Sequence, residues 1–173
     1  MSYSIVYSSK TGNTALLAQT LRDCLGEADC LYFGPPSPQA LQAGRIYVGF
    51  WTDKGTCDGE TARFLATLTG QEVFLFGTAG FGGDSAYFET ILSMVKEDIP
   101  QDVRVVGEYM CQGKMPDSVR RRYEQMEDSP RRQVMLENFD LSLIHILRWG
   151  SRGLPFSRRP RSTKVQSGRS RAA

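Results

Sequence analysis

Five of the seven residues in SSKTGNT, Ser8 to Thr14, carry hydroxyl or amide side chains, and Gly12 among them frees the backbone to turn tightly. The stretch stands between an apolar run, Tyr3 to Tyr7, and a segment opening Ala15-Leu16-Leu17-Ala18. A helix beginning near Thr14 leaves its first backbone N–H groups without intrahelical acceptors, and its aligned peptide dipoles favour negative charge at that end. Ser8, Ser9, Thr11, Asn13 and Thr14 add hydroxyl and amide donors around the same point. Together they form a cradle for a phosphate. A simple helix cap needs one such residue, whereas five are present here. No GxxxxGKS or GxxxxGKT occurs and no GxGxxG opens the first helix, so other phosphate-binding loops fit less well.

Two further loops carry residues suited to a planar ligand. GFWTDKGTCDG, Gly49 to Gly59, presents Trp51 at the end of an apolar run, where it either packs as core or offers a ring face. GTAGFGGDSAYF, Gly77 to Phe88, has glycines at 77, 80, 82 and 83 that let backbone amides approach a ligand closely. Asp84 in that loop is also the natural cap for a helix that follows. The four cysteines, Cys24, Cys30, Cys57 and Cys111, show neither a CxxC pair nor zinc-type spacing, and each reads as a reduced, partly buried thiol.

The elements that must position these loops alternate. Strand-like runs fall at Tyr3 to Tyr7, Ala28 to Phe33, Arg45 to Phe50, Glu72 to Phe76 and Val103 to Tyr109. Helix-period segments fall at Thr14 to Leu25, with Gly26 as the stop, and at Gly59 to Leu68, Ser85 to Glu97 and Asp117 to Glu127. GPPSP, Gly34 to Pro38, makes the second crossover short or irregular. Strands alternating with helices predict an α/β fold, a parallel sheet covered on both faces. In a doubly wound sheet ligands sit at the carboxyl ends of the strands near the winding switch, which points to the loops after strands one, three and four. A phosphoryl-accepting receiver of the same topology needs an acidic pair just after strand one, where Ser8 and Ser9 stand.

With these loops in place, the sequence resembles the flavodoxins. Ser9, Thr11, Gly12, Asn13 and Thr14 match the S/T-x-T-G-x-T loop that wraps the phosphate of flavin mononucleotide (FMN), with Lys10 at the variable position. The resemblance implies a three-layer α/β/α sandwich with a five-stranded parallel sheet of order 2-1-3-4-5. It puts Trp51 on one face of the isoalloxazine, with a carbonyl near Thr52 or Asp53 receiving the flavin N5 proton. Gly80, Phe81 and Gly82 belong to the second flavin loop, Asp84 contacts the flavin region, and Tyr87, or else Phe81, stacks on the other face. YSSKTGNT, GFWTDKGT, the segment Cys111 to Pro130 and NFD at Asn138 to Asp140 are together similar to a group of bacterial flavodoxin-like proteins. Some of these accompany bilirubin reductase, which implies a partner flavoenzyme of that kind. On this resemblance Cys111 and Lys114 lie outside the flavin crevice, in a partner-facing or edge-covering loop.

Charge and composition bound the rest. Hydrophobic residues make up 40% and charged residues 23% of 173, as expected for one globular domain. Residues 1–140 carry 13 basic and 19 acidic side chains, a net charge of −6, and the remaining eight basic residues all follow Asp140. The domain is therefore taken as 1–140, with 141–173 a basic tail that is disordered or non-native: LSLIHI, Leu141 to Ile146, resembles translated sequencing-adaptor DNA. The single histidine, His145, falls in that stretch and supports no catalysis. No apolar run is long enough to span a bilayer, and neither nucleic acid nor membrane is expected as a partner. A cytoplasmic location follows as the expectation. The function expected is electron transfer through FMN to a partner reductase. The alternatives are an FMN-dependent NAD(P)H reductase acting on a small substrate, and a flavin-free accessory module.

Overall fold

The structure is a computed structural model that describes residues 2–81 and 85–149. Its elements run β1 (Tyr3–Tyr7), α1 (Asn13–Leu25), β2 (Cys30–Gly34), β3 (Arg45–Asp53), β4 (Thr56–Cys57), α2 (Gly59–Leu65), β5 (Glu72–Ala79), α3 (Ser85–Lys96), β6 (Arg104–Gln112), α4 (Asp117–Glu124) and α5 (Pro130–Trp149). The parallel strands lie in the order β2-β1-β3-β5-β6, which is the predicted 2-1-3-4-5 order of a flavodoxin-like sandwich. A 3-10 turn, Pro38–Gln42, replaces a crossover helix between β2 and β3, as the prolines require. Among the described residues no helix is long and apolar enough to cross a membrane.

Alternation along the strands builds the two sides of the core. Ile5, Phe74 and Phe76 pack beneath α1 with Leu17, Ala18 and Leu21. Their neighbours Val6, Val48, Phe50, Val73 and Leu75 face the opposite side, against Phe64 and Leu65 of α2 and Ile91, Leu92 and Val95 of α3. A third cluster, built on Met115, Tyr123 and Phe139, lies within the α4–α5 hairpin. α5 continues past residue 140, and the buried hydroxyl of Ser142 accepts from Met115 N at 3.2 Å.

Strands β3, β5 and β6 run further than their apolar runs suggest, so that Trp51, Thr52 and Asp53 are strand residues rather than loop residues. The reason is continued pairing: Trp51 lies opposite Thr78 and Ala79 opposite Gln112. After Asp53 the chain reverses through Lys54 (φ 50°) and Gly55 (φ 92°), and Thr56 pairs back with Asp53. Two successive positive φ angles suit the twist of a two-residue hairpin. β2 begins later than expected, at Cys30, because Glu27–Asp29 form a 3-10 turn.

Three phenylalanines lie opposite glycines on adjacent strands: Phe76 across from Gly49, Phe50 from Gly77 and Phe74 from Gly107. A Cβ at Gly77 would stand 2.6 Å from the buried Phe50 ring and 2.3 Å from the Met110 sulfur. We expect Gly77→Ala to lower stability by about 1–3 kcal/mol, because the ring has no room to move. Gly44→Ala, where a Cβ meets nothing within 4 Å, should stay within about 0.5 kcal/mol of the parent. Urea midpoints of the two variants check the difference.

Candidate functional site

The loop after β1 is anchored at both ends. Ser8 N donates to Gly49 O at 3.0 Å, and Ala15 N donates to Ser9 Oγ at 3.2 Å. Gly12, at φ 85°, occupies the cap position of α1 but offers no side-chain cap, and no acid stands in the first turn. Ser9 thus satisfies the third helical amide, while those of Asn13 and Thr14 stay open to a ligand. The positive end of the dipole is consequently not neutralised by the protein itself. A cleft of about 360 Å³ borders this point, lined by Tyr7, Ser8, Ser9, Gly12, Ala15, Pro35 and Glu60.

Thr14 behaves differently from its neighbours. Its side chain is buried, and its hydroxyl lies 3.0 Å from Thr78 Oγ1 and 3.4 Å from Phe50 O. Thr78 O in turn accepts from the Thr52 hydroxyl at 3.1 Å. Thr14 therefore fastens the start of α1 to the ends of β3 and β5.

Beside the loop lies a second cavity of about 130 Å³, which brings together Lys10, Thr11, Asn13, Trp51, Thr52 and Gly80. The Lys10 ammonium sits 4.6 Å from the Trp51 ring centre, a cation–π contact that holds the indole at the mouth. Asp53 ends β3, paired with Thr56 across the β3–β4 hairpin. Phe81 and Tyr87 are 41% and 37% exposed and line neither cavity. The Tyr87 ring leans on Phe88, with centroids 6.1 Å apart. Gly82 and Asp84 lie outside the described residues.

Sequence reasoning missed the loop after β6. Gly113, Lys114, Met115 and Pro116 line the same cavity as Lys10 and Trp51, so Lys114 is at the crevice and not outside it. The cause is the Asn13 side chain, which takes Lys114 N at 3.1 Å and donates to Lys114 O at 3.0 Å. Strand order alone could have raised the possibility, because β6 ends at the same edge as β5. Thr78 and Gln112, which tie the strand ends together, carried no signal apart from their place after apolar runs.

The donors here fit a phosphate: an uncapped helix end, Ser8 and Ser9, and Lys10. The cavity beside Trp51, walled by glycine and threonine, fits the edge of a planar ring. Among the described residues no group of three or more His, Cys, Asp or Glu is placed to hold a metal ion.

Sheet order and crossover pattern define a flavodoxin-like protein. Residues 4–145 match the flavodoxin domain family, and the chain belongs to it. It is 39% identical over 166 residues to the flavodoxin-like domain-containing protein BilS of Clostridium symbiosum, an alignment spanning 84% of this chain and 87% of that protein. The BilS protein of Clostridioides difficile is 28% identical, covering 82% and 85%. Among solved structures, a short-chain flavodoxin associated with a non-canonical PDU bacterial microcompartment superposes with a TM-score of 0.50 at 17% identity, over 84% of this chain and 98% of that one. A Lactobacillus acidophilus flavoprotein in complex with FMN gives 0.50 at 14% identity, over 72% and 99%. The chain is thus a homologue of the BilS flavodoxin-like proteins, in a fold that typically carries electrons.

The cysteines offer no nucleophile at this edge. Burial pushes the Cys111 thiol up to about 11. Burial first, and then the Asp98 carboxylate, push Cys57 up to about 11 as well. At pH 8 we expect alkylation of native protein to label the exposed Cys24 rapidly while Cys57 and Cys111 react only after unfolding. Both the buried Cys57 thiol and the partly buried Cys111 thiol bind their proton more tightly when folded. Their stabilisation is complete below the ordinary value of 9.0 and is lost as pH rises through about 11. The urea midpoint should therefore fall across that window, and fall less in Cys57→Ala.

Proposed function

We propose that this protein binds FMN without a covalent link and carries electrons between that flavin and a partner redox enzyme. The observation that supports this best is the uncapped start of α1, ringed by Ser8, Ser9 and Lys10 and set beside Trp51. In this reading the amides of Asn13 and Thr14 and the Ser9 hydroxyl hold the phosphate, and the Thr11 hydroxyl lies at its edge. Trp51 covers one ring face, with Lys10 leaving the indole to make room. The Thr52 or Asp53 carbonyl would accept a hydrogen bond from the flavin N5–H. Gly80 and Phe81, with Gly82, Asp84 and Tyr87 beyond them, close the ring's far side. Bound flavin supplies the electron chemistry, while the chain supplies position and charge.

The partner is a flavoenzyme of the bilirubin-reductase kind, a proposal that rests on the resemblance to proteins that accompany that enzyme and on homology to the BilS proteins. A net charge of −6 over residues 1–140 suits a basic docking face and speeds encounter at low salt. The domain of residues 1–140 and a cytoplasmic setting remain parts of this proposal.

Titration of the full chain with FMN should quench flavin fluorescence at one-to-one stoichiometry. Trp51→Ala removes a stacking contact worth about 0.5–1.5 kcal/mol and should weaken binding about two- to tenfold. Ser9→Ala should weaken it further at the phosphate. Absence of quenching would sink the flavin reading, and rapid bleaching of bound flavin by NAD(P)H alone would point to a reductase instead.

A further inference from the structure

We propose that Asn13 and Gln112 are positioning residues that couple the cofactor-binding loops to the α4–α5 hairpin, so that occupancy of the crevice changes the order of the hairpin. This inference rests on the flavin reading above and assigns Asn13 a role other than gripping the phosphate with its side chain.

The Asn13 amide is fully committed within the protein. Its Nδ2 donates to Lys114 O at 3.0 Å and to Thr11 Oγ1 at 2.8 Å, and its Oδ1 accepts from Lys114 N at 3.1 Å. An amide nitrogen has two protons, and both are used. The reciprocal pair with Lys114 also fixes which end of the amide is which, because the opposite orientation would set donor against donor. Gly113 makes this approach possible: a Cβ there would stand 2.6 Å from Asn13 Nδ2.

Three residues then bridge two parts of the molecule. Gly113 N donates to Ala79 O at 2.8 Å, at the end of β5. Lys114 is held by Asn13 of the phosphate loop. Met115 N donates to Ser142 Oγ on α5, and the Met115 side chain is buried with Tyr123 of α4 and Phe139 of α5. No slack separates these anchors, because consecutive residues carry them.

Gln112 makes a second bridge on the same strand. Its Nε2 donates to Gly80 O at 3.1 Å, in the loop after β5, and to Asn138 O at 2.9 Å, in α5. The side chain is 1% exposed. Movement of the phosphate loop or of the Gly80 loop toward a ligand must therefore either carry the α4–α5 hairpin with it or break these amide bonds. Coupling of this kind is reciprocal: a ligand that orders the loops orders the hairpin, and a hairpin held by a partner tightens the ligand.

Hydrogen–deuterium exchange of the full chain, with and without saturating FMN, tests the coupling. In the parent protein FMN should slow exchange in peptides covering 8–16 and also, by about fivefold, in peptides covering 113–126. Asn13→Ala at saturating FMN should keep the first protection and lose most of the second. Gly113→Ala displaces Asn13 from the other side and should give the same pattern, which covers the case in which one variant fails to fold. Quenching of FMN with no protection at 113–126 in the parent, or with both protections intact in the variants, overturns the coupling and leaves the flavin reading standing. If FMN does not bind, the flavin reading fails separately and the flavin-free comparison decides. Asn13→Ala should then speed exchange in peptides covering 130–142, and unchanged exchange there overturns the coupling.

Discussion

The carboxyl edge of the sheet is set by three cross-strand pairs in which a phenylalanine ring covers a glycine. Phe76 over Gly49, Phe50 over Gly77 and Phe74 over Gly107 lock β3, β5 and β6 to one another. A slip of one residue would turn every one of these rings to the wrong face of the sheet and put a Cβ where each ring now lies. The register they fix brings Trp51 beside Thr78 and Ala79 beside Gln112, so the loops that follow begin at a common height. A shift at Val106 is part of the same device, since it sets Phe74 opposite Gly107.

The two ends of the sheet differ in charge. At the amino ends Arg45, Glu72 and Arg104 are register partners on β3, β5 and β6, and both arginines bind the Glu72 carboxylate. The Arg45 hydrogen bond, more than the charges around it, holds Glu72 below the usual carboxylate range. At the carboxyl ends Lys10 and Lys114 meet at one cavity, with Glu60 at the neighbouring cleft. In a domain that is acidic as a whole, the two lysines place positive charge at this edge of the sheet.

The fold was legible in the sequence because its signals are local. Apolar runs alternating with helix-period segments, the stop at Gly26 and the prolines after β2 each act within a few residues. Strand ends were less legible: Trp51 to Asp53 read as loop, because only pairing with β5 and β4 makes them strand. The hydroxyl- and amide-rich loop after β1 stood out by composition. What composition did not reveal is how its members divide. Ser9 and Thr14 are both hydroxyls in one short motif, yet Ser9 caps an amide while Thr14 turns inward to Thr78. Lys114 was misplaced for a related reason, since its partner Asn13 is 101 residues away and nothing local points to it.

The open helix end has a consequence for stability as well as binding. Gly12 stands at φ 85°, which a residue with a side chain would be strained to adopt, so the cap position carries no capping side chain. The start of the helix is held within the same few residues: Ser9 takes the Ala15 amide, while the buried Thr14 hydroxyl and the Asn13 side chain bind elsewhere and leave the amides of Asn13 and Thr14 uncovered. The Thr14 and Asn13 side-chain bonds run sideways, to a strand end and to the loop after β6. The glycine that lets the chain turn into α1 is thus the residue that leaves the amides of Asn13 and Thr14 without a side-chain partner, and the loops tied to that end are the ones that would register a ligand's arrival under the proposal above.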